Sequence, residues 1–270
     1  MRDVTFGRYY QTESFVHKCD PRAKILFLVL YIAAVFTAKN FYGLGLGAVA
    51  FLVFACCSRV PIRSIFRSVR GVVFLLLFTA VLNLFFYSDG EVLVKWAFIR
   101  ITDKGIYHTV FLGARLVLLV LGSSLLTLTT APVSLTDGLE SLLYPLKLIK
   151  FPVHELALIM SIALRFIPIL SDETARIMNA QKARGADFET GGLVKRVKAV
   201  IPVLIPLLIS AFRRADELGD AMDARCYSGS KVRTKYKKLT FAARDFVLLL
   251  FGAAVLAGVI LCRVFFVQVV

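Results

Sequence analysis

The sequence is short of acid, of histidine and of any recognisable catalytic signature. It has no GxxxxGK[ST] run, so it binds no nucleotide through a P-loop, and it has neither HExxH nor GxSxG. The histidines are His17, His108 and His154, too few and too scattered for a His-rich metal site. The five cysteines (Cys19, Cys56, Cys57, Cys226, Cys262) form no CxxC and are odd in number, which argues against a disulfide framework or a zinc site. Acidic residues number 18 against 33 Lys and Arg, a net charge of +15. The first 24 residues are polar and lack the apolar core of a secretory signal.

What is abundant is apolar surface. Hydrophobic residues make up 58% of the 270, above the roughly 45–50% of soluble domains. That content excludes disorder and a soluble nucleic-acid module, while the charge excludes a chain lying wholly in lipid. Uncharged runs cover 25–38, 40–58, 71–88, 116–136 and 246–262. A spanning helix needs about 20 mostly apolar residues, and with short extensions each run qualifies. The expected fold is therefore all-α: a polytopic membrane protein with five transmembrane helices. Arg2, Arg8, Lys18, Arg22 and Lys24 precede the first run, and Arg59, Arg63, Arg67 and Arg70 follow the second with no acid among them. Cytoplasmic loops carry such an excess, so the N-terminus and second loop are expected inside, the third loop outside, and the C-terminus outside.

Residues 131–239 differ from the rest. Their two apolar stretches, 156–170 and 199–212, are flanked by Arg176, Lys182, Arg184, Lys195, Arg196 and Lys198. If both crossed, that positive segment would face outside, against the charge rule. The better expectation is three amphipathic helices on the cytoplasmic side. The first carries Leu135, Leu139, Leu142, Leu143 and Leu146, with Ser134 and Asp137 resembling a capping box. The second runs from about Val153 to Arg184. The third runs from about Leu193 to Arg225, with Pro202 and Pro206 expected to bend it. Three regions follow: 1–130 with four spans, 131–239 as a cytoplasmic coupling domain, and 240–270 with the last span.

An internal echo is the most informative signal. Ala180-Gln181-Lys182-Ala183-Arg184-Gly185 returns 41 residues later as Ala221-Met222-Asp223-Ala224-Arg225-Cys226. Small residues beside a long cation let a helix end enter a groove and set a planar guanidinium against a carboxylate. Ordinary helix ending also places a cation and a small residue there. Arg213, Arg214, Asp216 and Glu217 are either a solvated face with internal ion pairs or a surface for the same partner. Asp20-Pro21-Arg22-Ala23-Lys24 reads as helix-start chemistry, Asp as N-cap and Pro at N1, with Arg22 and Lys24 anchoring the membrane boundary. Gly43, Gly45 and Gly47 suit close helix packing. Arg115 and Asn83 are the polar groups within the spans, open to a functional or a boundary role.

In this order and spacing, the two Ala-Arg-small helix ends, together with His17 and Asp20-Pro21-Arg22-Ala23-Lys24, resemble the transmembrane T component of energy-coupling factor (ECF) transporters. The resemblance covers nearly the whole chain. It implies a non-catalytic membrane scaffold without a cofactor of its own, in the cell membrane. ATP would be bound by two ABC-type ATPase subunits, each taking one motif, Ala183-Arg184-Gly185 or Ala224-Arg225-Cys226. A separate substrate-binding membrane subunit would import a vitamin or a metal ion. Cys226 departs from the family's Gly, so the second helix end is expected to cap differently, with Gly229 making the turn. Two other readings compete: a self-contained secondary transporter, which needs a polar site near the bilayer midplane, and a membrane-anchored nucleic-acid or anionic-lipid binder based on 231–238.

Overall fold

The computed structural model describes residues 9–10, 12–86, 92–96, 99–145, 151–188, 192–227 and 240–265. Helix α1 (Pro21–Thr37) is followed by α2 (Phe41–Ser58), α3 (Ile62–Arg70) and α4 (Val73–Phe86). Strands β1 (Val92–Trp96) and β2 (Ile99–Thr102) pair antiparallel, with an irregularity between Val92 and Val94. Then come α5 (Asp103–Thr129), α6 (Pro132–Leu143), α7 (Val153–Ala183), α8 (Leu193–Asp223) and α9 (Ala243–Phe265). The fold is helical as expected, apart from the ribbon in the third loop. The basic run 231–238 and Gly229 lie outside the described residues.

Boundaries moved where local backbone chemistry outranked hydropathy. The apolar run 116–136 is two helices. α5 starts at Asp103, where the Thr102 hydroxyl accepts from the Gly105 N–H at 3.2 Å, and it stops at Thr129. α6 then starts at Pro132, whose fixed φ suits the first helical position, with Ala131 as N-cap. The expected Ser134 box does not form, because Ser134 is already inside the helix. The loop after the second span is itself helix α3, and it meets α4 at a 56° bend. α7 runs through Pro168, and α8 through Pro202 and Pro206.

The chain divides into two compact units, 154–238 and 5–153 with 239–270. In the larger unit α6 packs on α1: a Cβ at Gly138 would stand 3.0 Å from Pro21 Cβ. In the larger unit α1 is central. Phe27 stacks on Phe54 of α2 at 4.7 Å and on Phe251 of α9 at 6.1 Å. Tyr31 lies so close to α5 that a Cβ at Gly122 would collide with its ring. Two of the three α2 glycines do admit neighbours, Gly43 beside Val259 and Gly47 beside Val35, whereas Gly45 faces open space.

The start of α1 is a polar hub. Asp20 caps the helix, its Oδ1 accepting from the Arg22 N–H at 2.9 Å. Its own N–H donates to Asp245 Oδ1 at 2.7 Å, across 225 positions of sequence. The other oxygen of Asp245 accepts from the Ala242 N–H at 2.8 Å, the backward half of a capping box at the start of α9. Lys24 is not a boundary anchor. It is 2% exposed and donates to Thr129 O at the end of α5 (3.1 Å) and to His17 O (3.4 Å). Arg22 lies over the Phe241 ring at 5.7 Å. At the other end, Asn40 Nδ2 donates to Cys262 O at 2.6 Å. The two contacts together make α1 and α9 parallel, and α5 antiparallel to both.

By length and composition α2, α5, α7 and α9 each qualify as spans, and the bent α3–α4 pair makes a fifth candidate. α1, at 17 residues, is about 26 Å long, slightly shorter than these candidates. α6, about 18 Å long, starts and packs at the end where α1 begins and is too short to cross. α9 starts at that same end. Among the described residues α8 has no qualifying apolar window.

Residues 12–19 fold against the hub through His17. Its Nε2–H donates to Tyr10 O at 3.0 Å, so Nδ1 accepts from the Ser14 hydroxyl at 2.7 Å. Burial holds the His17 pKa below its ordinary 6.5, assisted by the Lys24 charge and opposed by the bond to Tyr10. Burial, then Asp245, pushes the Cys19 thiol up, and the thiol donates to Phe15 O.

Asp245→Ala orphans two N–H groups, at about 1–3 kcal/mol for each one left buried; the Tm of the detergent-purified protein should fall by several degrees. His17 binds its proton more weakly folded than unfolded, so its contribution is present above the ordinary pKa and lost as pH falls through it. Amide protection across 12–19, taken relative to intrinsic exchange at each pH, should fall between pH 7.5 and 5.5, and His17→Gln should remove that fall.

Candidate functional site

The two echoed segments end α7 and α8, and they end them alike. At the first, the Arg184 N–H donates to Gln181 O (3.1 Å), the Gly185 N–H to Lys182 O (3.0 Å) and the Ala186 N–H to Gln181 O (3.0 Å). At the second, the Arg225 N–H donates to Met222 O (3.1 Å), the Cys226 N–H to Asp223 O (2.9 Å) and the Tyr227 N–H to Met222 O (3.0 Å). Both ends share the six-to-one and five-to-two closure of a Schellman motif, and at the first the Arg184 N–H also reaches Ala180 O at 3.2 Å. Each requires a left-handed residue after the arginine. Gly185 takes it at φ +88° and Cys226 at φ +56°.

The expectation that the second end caps differently is therefore corrected. Cys226 itself turns the chain, without Gly229. A side chain in that conformation costs roughly 1–2 kcal/mol, offset here by the two closing hydrogen bonds. Both arginines thus occupy the same place, the last position before the turn. Ala183, Arg184, Gly185, Ala224, Arg225 and Cys226 are all exposed. The alanines add no bulk beside either guanidinium, and neither Arg184 nor Arg225 makes a side-chain ion pair among the described residues.

The residues read as a supporting surface separate into two roles. Arg213, Asp216 and Glu217 are exposed, and the ion pairs expected within that stretch do not form. Arg214 instead reaches Glu173 of α7 at 3.6 Å, tying α8 to α7 with both side chains partly buried. Glu173 carried no motif, and its role needed the helix pairing to be seen. Asn83 and Arg115 are occupied structurally. Asn83 Nδ2 donates to Thr79 O, one turn back, at 2.8 Å. Arg115 donates to Ala38 O just past the end of α1, and it lies over the Phe111 ring at 4.7 Å.

Cys226→Gly should keep the cap and relieve its strain, stabilising the end of α8 by about 1 kcal/mol. Slower amide exchange at 224–227 would report it. Cys226→Val, β-branched in a left-handed position, should speed that exchange.

Comparison with known proteins gives these helix ends a context. Residues 12–236 match the CbiQ family model, described as cobalt transport protein. The energy-coupling factor transporter transmembrane protein EcfT of Clostridium kluyveri is 46% identical over 265 residues, 98% of each chain. The protein of that name from Acidaminococcus fermentans is 48% identical over 246 residues, 91% of each chain. The one from Bacillus subtilis is 42% identical over 245 residues, 91% of this chain and 92% of the relative. Multi-pass helical architecture and full-length similarity agree: this chain belongs to the CbiQ/EcfT family, the transmembrane components of energy-coupling factor transporters.

Proposed function

We propose that this chain is the scaffold and coupling subunit of an ECF-type importer, joining two ABC-type ATPase subunits to a separate substrate-binding membrane subunit. The observation that carries this reading is the matched pair of helix ends. Two helices of one chain close with the same hydrogen bonds and present one exposed arginine each at the same position. Ordinary helix ending explains one such cap. It does not explain why the second keeps the geometry while paying for a left-handed cysteine.

Two equivalent arginines suit two equivalent acidic grooves, as a pair of homologous ATPases would offer. A guanidinium fork takes a carboxylate bidentately, which fixes direction as well as distance. Helices of 31 residues are about 46 Å long, so motion imposed at their tips is carried far along the chain. The Arg214–Glu173 pair would make the two helices respond together. The chain itself performs no catalysis in this reading, ATP is bound by the partners, and α7 and α8 lie on the cytoplasmic side with the N-terminus, leaving the C-terminus outside. Vitamin or metal-ion selectivity resides on the substrate-binding subunit.

The secondary-transporter reading is less well supported. Its two candidate polar groups in the spans, Asn83 and Arg115, are engaged with backbone carbonyls. The cavity beside Lys24, Phe27 and Tyr31, about 10 Å³, holds one water at most, and the larger pocket at Ser68, Ser123, Ser124 and Thr127, about 380 Å³, lies open at the surface with the Ser123, Ser124 and Thr127 hydroxyls all donating within the chain.

Arg184→Glu combined with Arg225→Glu should abolish co-purification with the ATPases while membrane insertion and Tm in detergent are unchanged. Normal ATPase recovery with the double variant would sink the proposal. Each single variant should retain partial recovery, because one groove remains filled.

A further inference from the structure

The basic second loop forms α3, a helix whose three faces differ. At 100° per residue, Ile65 and Val69 share one face, Ile62 and Phe66 the next, and Arg63, Arg67 and Arg70 the one beyond. Ile65 is 3% exposed and, with Val69 packed beside it, belongs to the core of the larger unit. Ile62 and Phe66 are 69% and 63% exposed. The three arginines are exposed, as is Arg59 just before them, and none makes a side-chain hydrogen bond or ion pair among the described residues. Going round the helix, the environment each face suits changes from protein core to apolar medium to anion.

Orientation supports the same reading. α3 leans 56° from α4, whereas spans tilt about 20° from the bilayer normal, so α3 lies towards the membrane plane. α4 beyond the bend is exposed at Val73, Phe74, Leu77, Phe78 and Val81, an apolar flank for acyl chains. α3 sits at the end of the bundle where α1 begins, since α2 runs back from Asn40 to Arg59 and the Ser124 hydroxyl, near the end of α5, donates to Ser68 at 2.6 Å.

From this geometry we infer that α3 is an interfacial anchor for anionic phospholipid. Ile62 and Phe66 enter the acyl boundary, and Arg59, Arg63, Arg67 and Arg70 hold headgroup phosphates. A guanidinium row with no carboxylate in reach is complementary to a row of phosphates. The graded order of faces is that of a helix lying in the interface. An acidic protein surface would match the arginines but leave Ile62 and Phe66 in water.

The test uses the full chain purified in detergent, with phosphatidylglycerol and phosphatidylcholine as probes. Retained lipid is counted by native mass spectrometry, and Tm is followed against lipid concentration. Wild type should retain phosphatidylglycerol in preference to phosphatidylcholine, and the preference should weaken with added salt. The variant R63Q/R67Q/R70Q should bind phosphatidylglycerol on the order of 100-fold more weakly, at about fivefold per arginine, with unchanged Tm in lipid-free detergent. Three results would overturn the proposal: an intact phosphatidylglycerol preference in the triple variant, a wild-type preference indifferent to salt, or equal protection by inorganic phosphate at the same concentration. If the triple variant misfolds, the wild-type salt titration and phosphate competition still decide.

Discussion

A single buried carboxylate organises much of this protein. Asp245 has one oxygen on the N–H of Ala242 and the other on the N–H of Asp20, so it begins the last span and fastens it to the first. Taking a carboxylate out of water is costly unless its lone pairs are filled, and here backbone donors from two helix starts fill them. Lys24 does the complementary work, with its ammonium on the last carbonyl of α5 and on the carbonyl of His17. The two groups bring the starts of α1 and α9, the end of α5 and the N-terminal segment to one place.

The two arginine-bearing helix ends are built on a different principle. They need little tertiary support, because each closes its own last carbonyls through a left-handed residue and two return bonds. Their equivalence therefore comes from the backbone and tolerates Cys226 in place of glycine. A partner that reads the guanidinium position meets the same stereochemistry twice. The Arg214–Glu173 pair, with both side chains partly exposed, links α7 to α8.

Polar groups in the spans follow a consistent rule in the larger unit. Arg115 and Asn40 meet backbone carbonyls near the ends of neighbouring spans, Tyr31 donates to Leu118 O, and Asn83 bonds one turn back on its own helix. In a medium without water, an unpaired carbonyl or amide is expensive, so these side chains close the ends and seams of the bundle. Thr109 Oγ1 and Arg115 Nε, both in α5, are buried without a partner among the described residues.

Much was legible in the sequence because it depends on neighbours along the chain. Apolar runs of bilayer length marked the membrane helices, Asp20-Pro21 marked the start of α1, and the repeated Ala-x-x-Ala-Arg marked where α7 and α8 stop. Local competition hid some boundaries: hydropathy ran on from α5 into α6, but Pro132 fixed a new helix start. The charges of the second loop were visible, whereas their helix was masked by a short, mostly polar composition. What only the tertiary structure decided joins distant residues. Nothing near Lys24 in sequence says that it is buried on Thr129, nor near Asp245 that it answers Asp20, nor near Arg214 that it meets Glu173. Those assignments depend on which helices pack together, and packing is settled by shape, as where Phe27 lies on Phe251 and Tyr31 over Gly122, more than by any pattern along the chain.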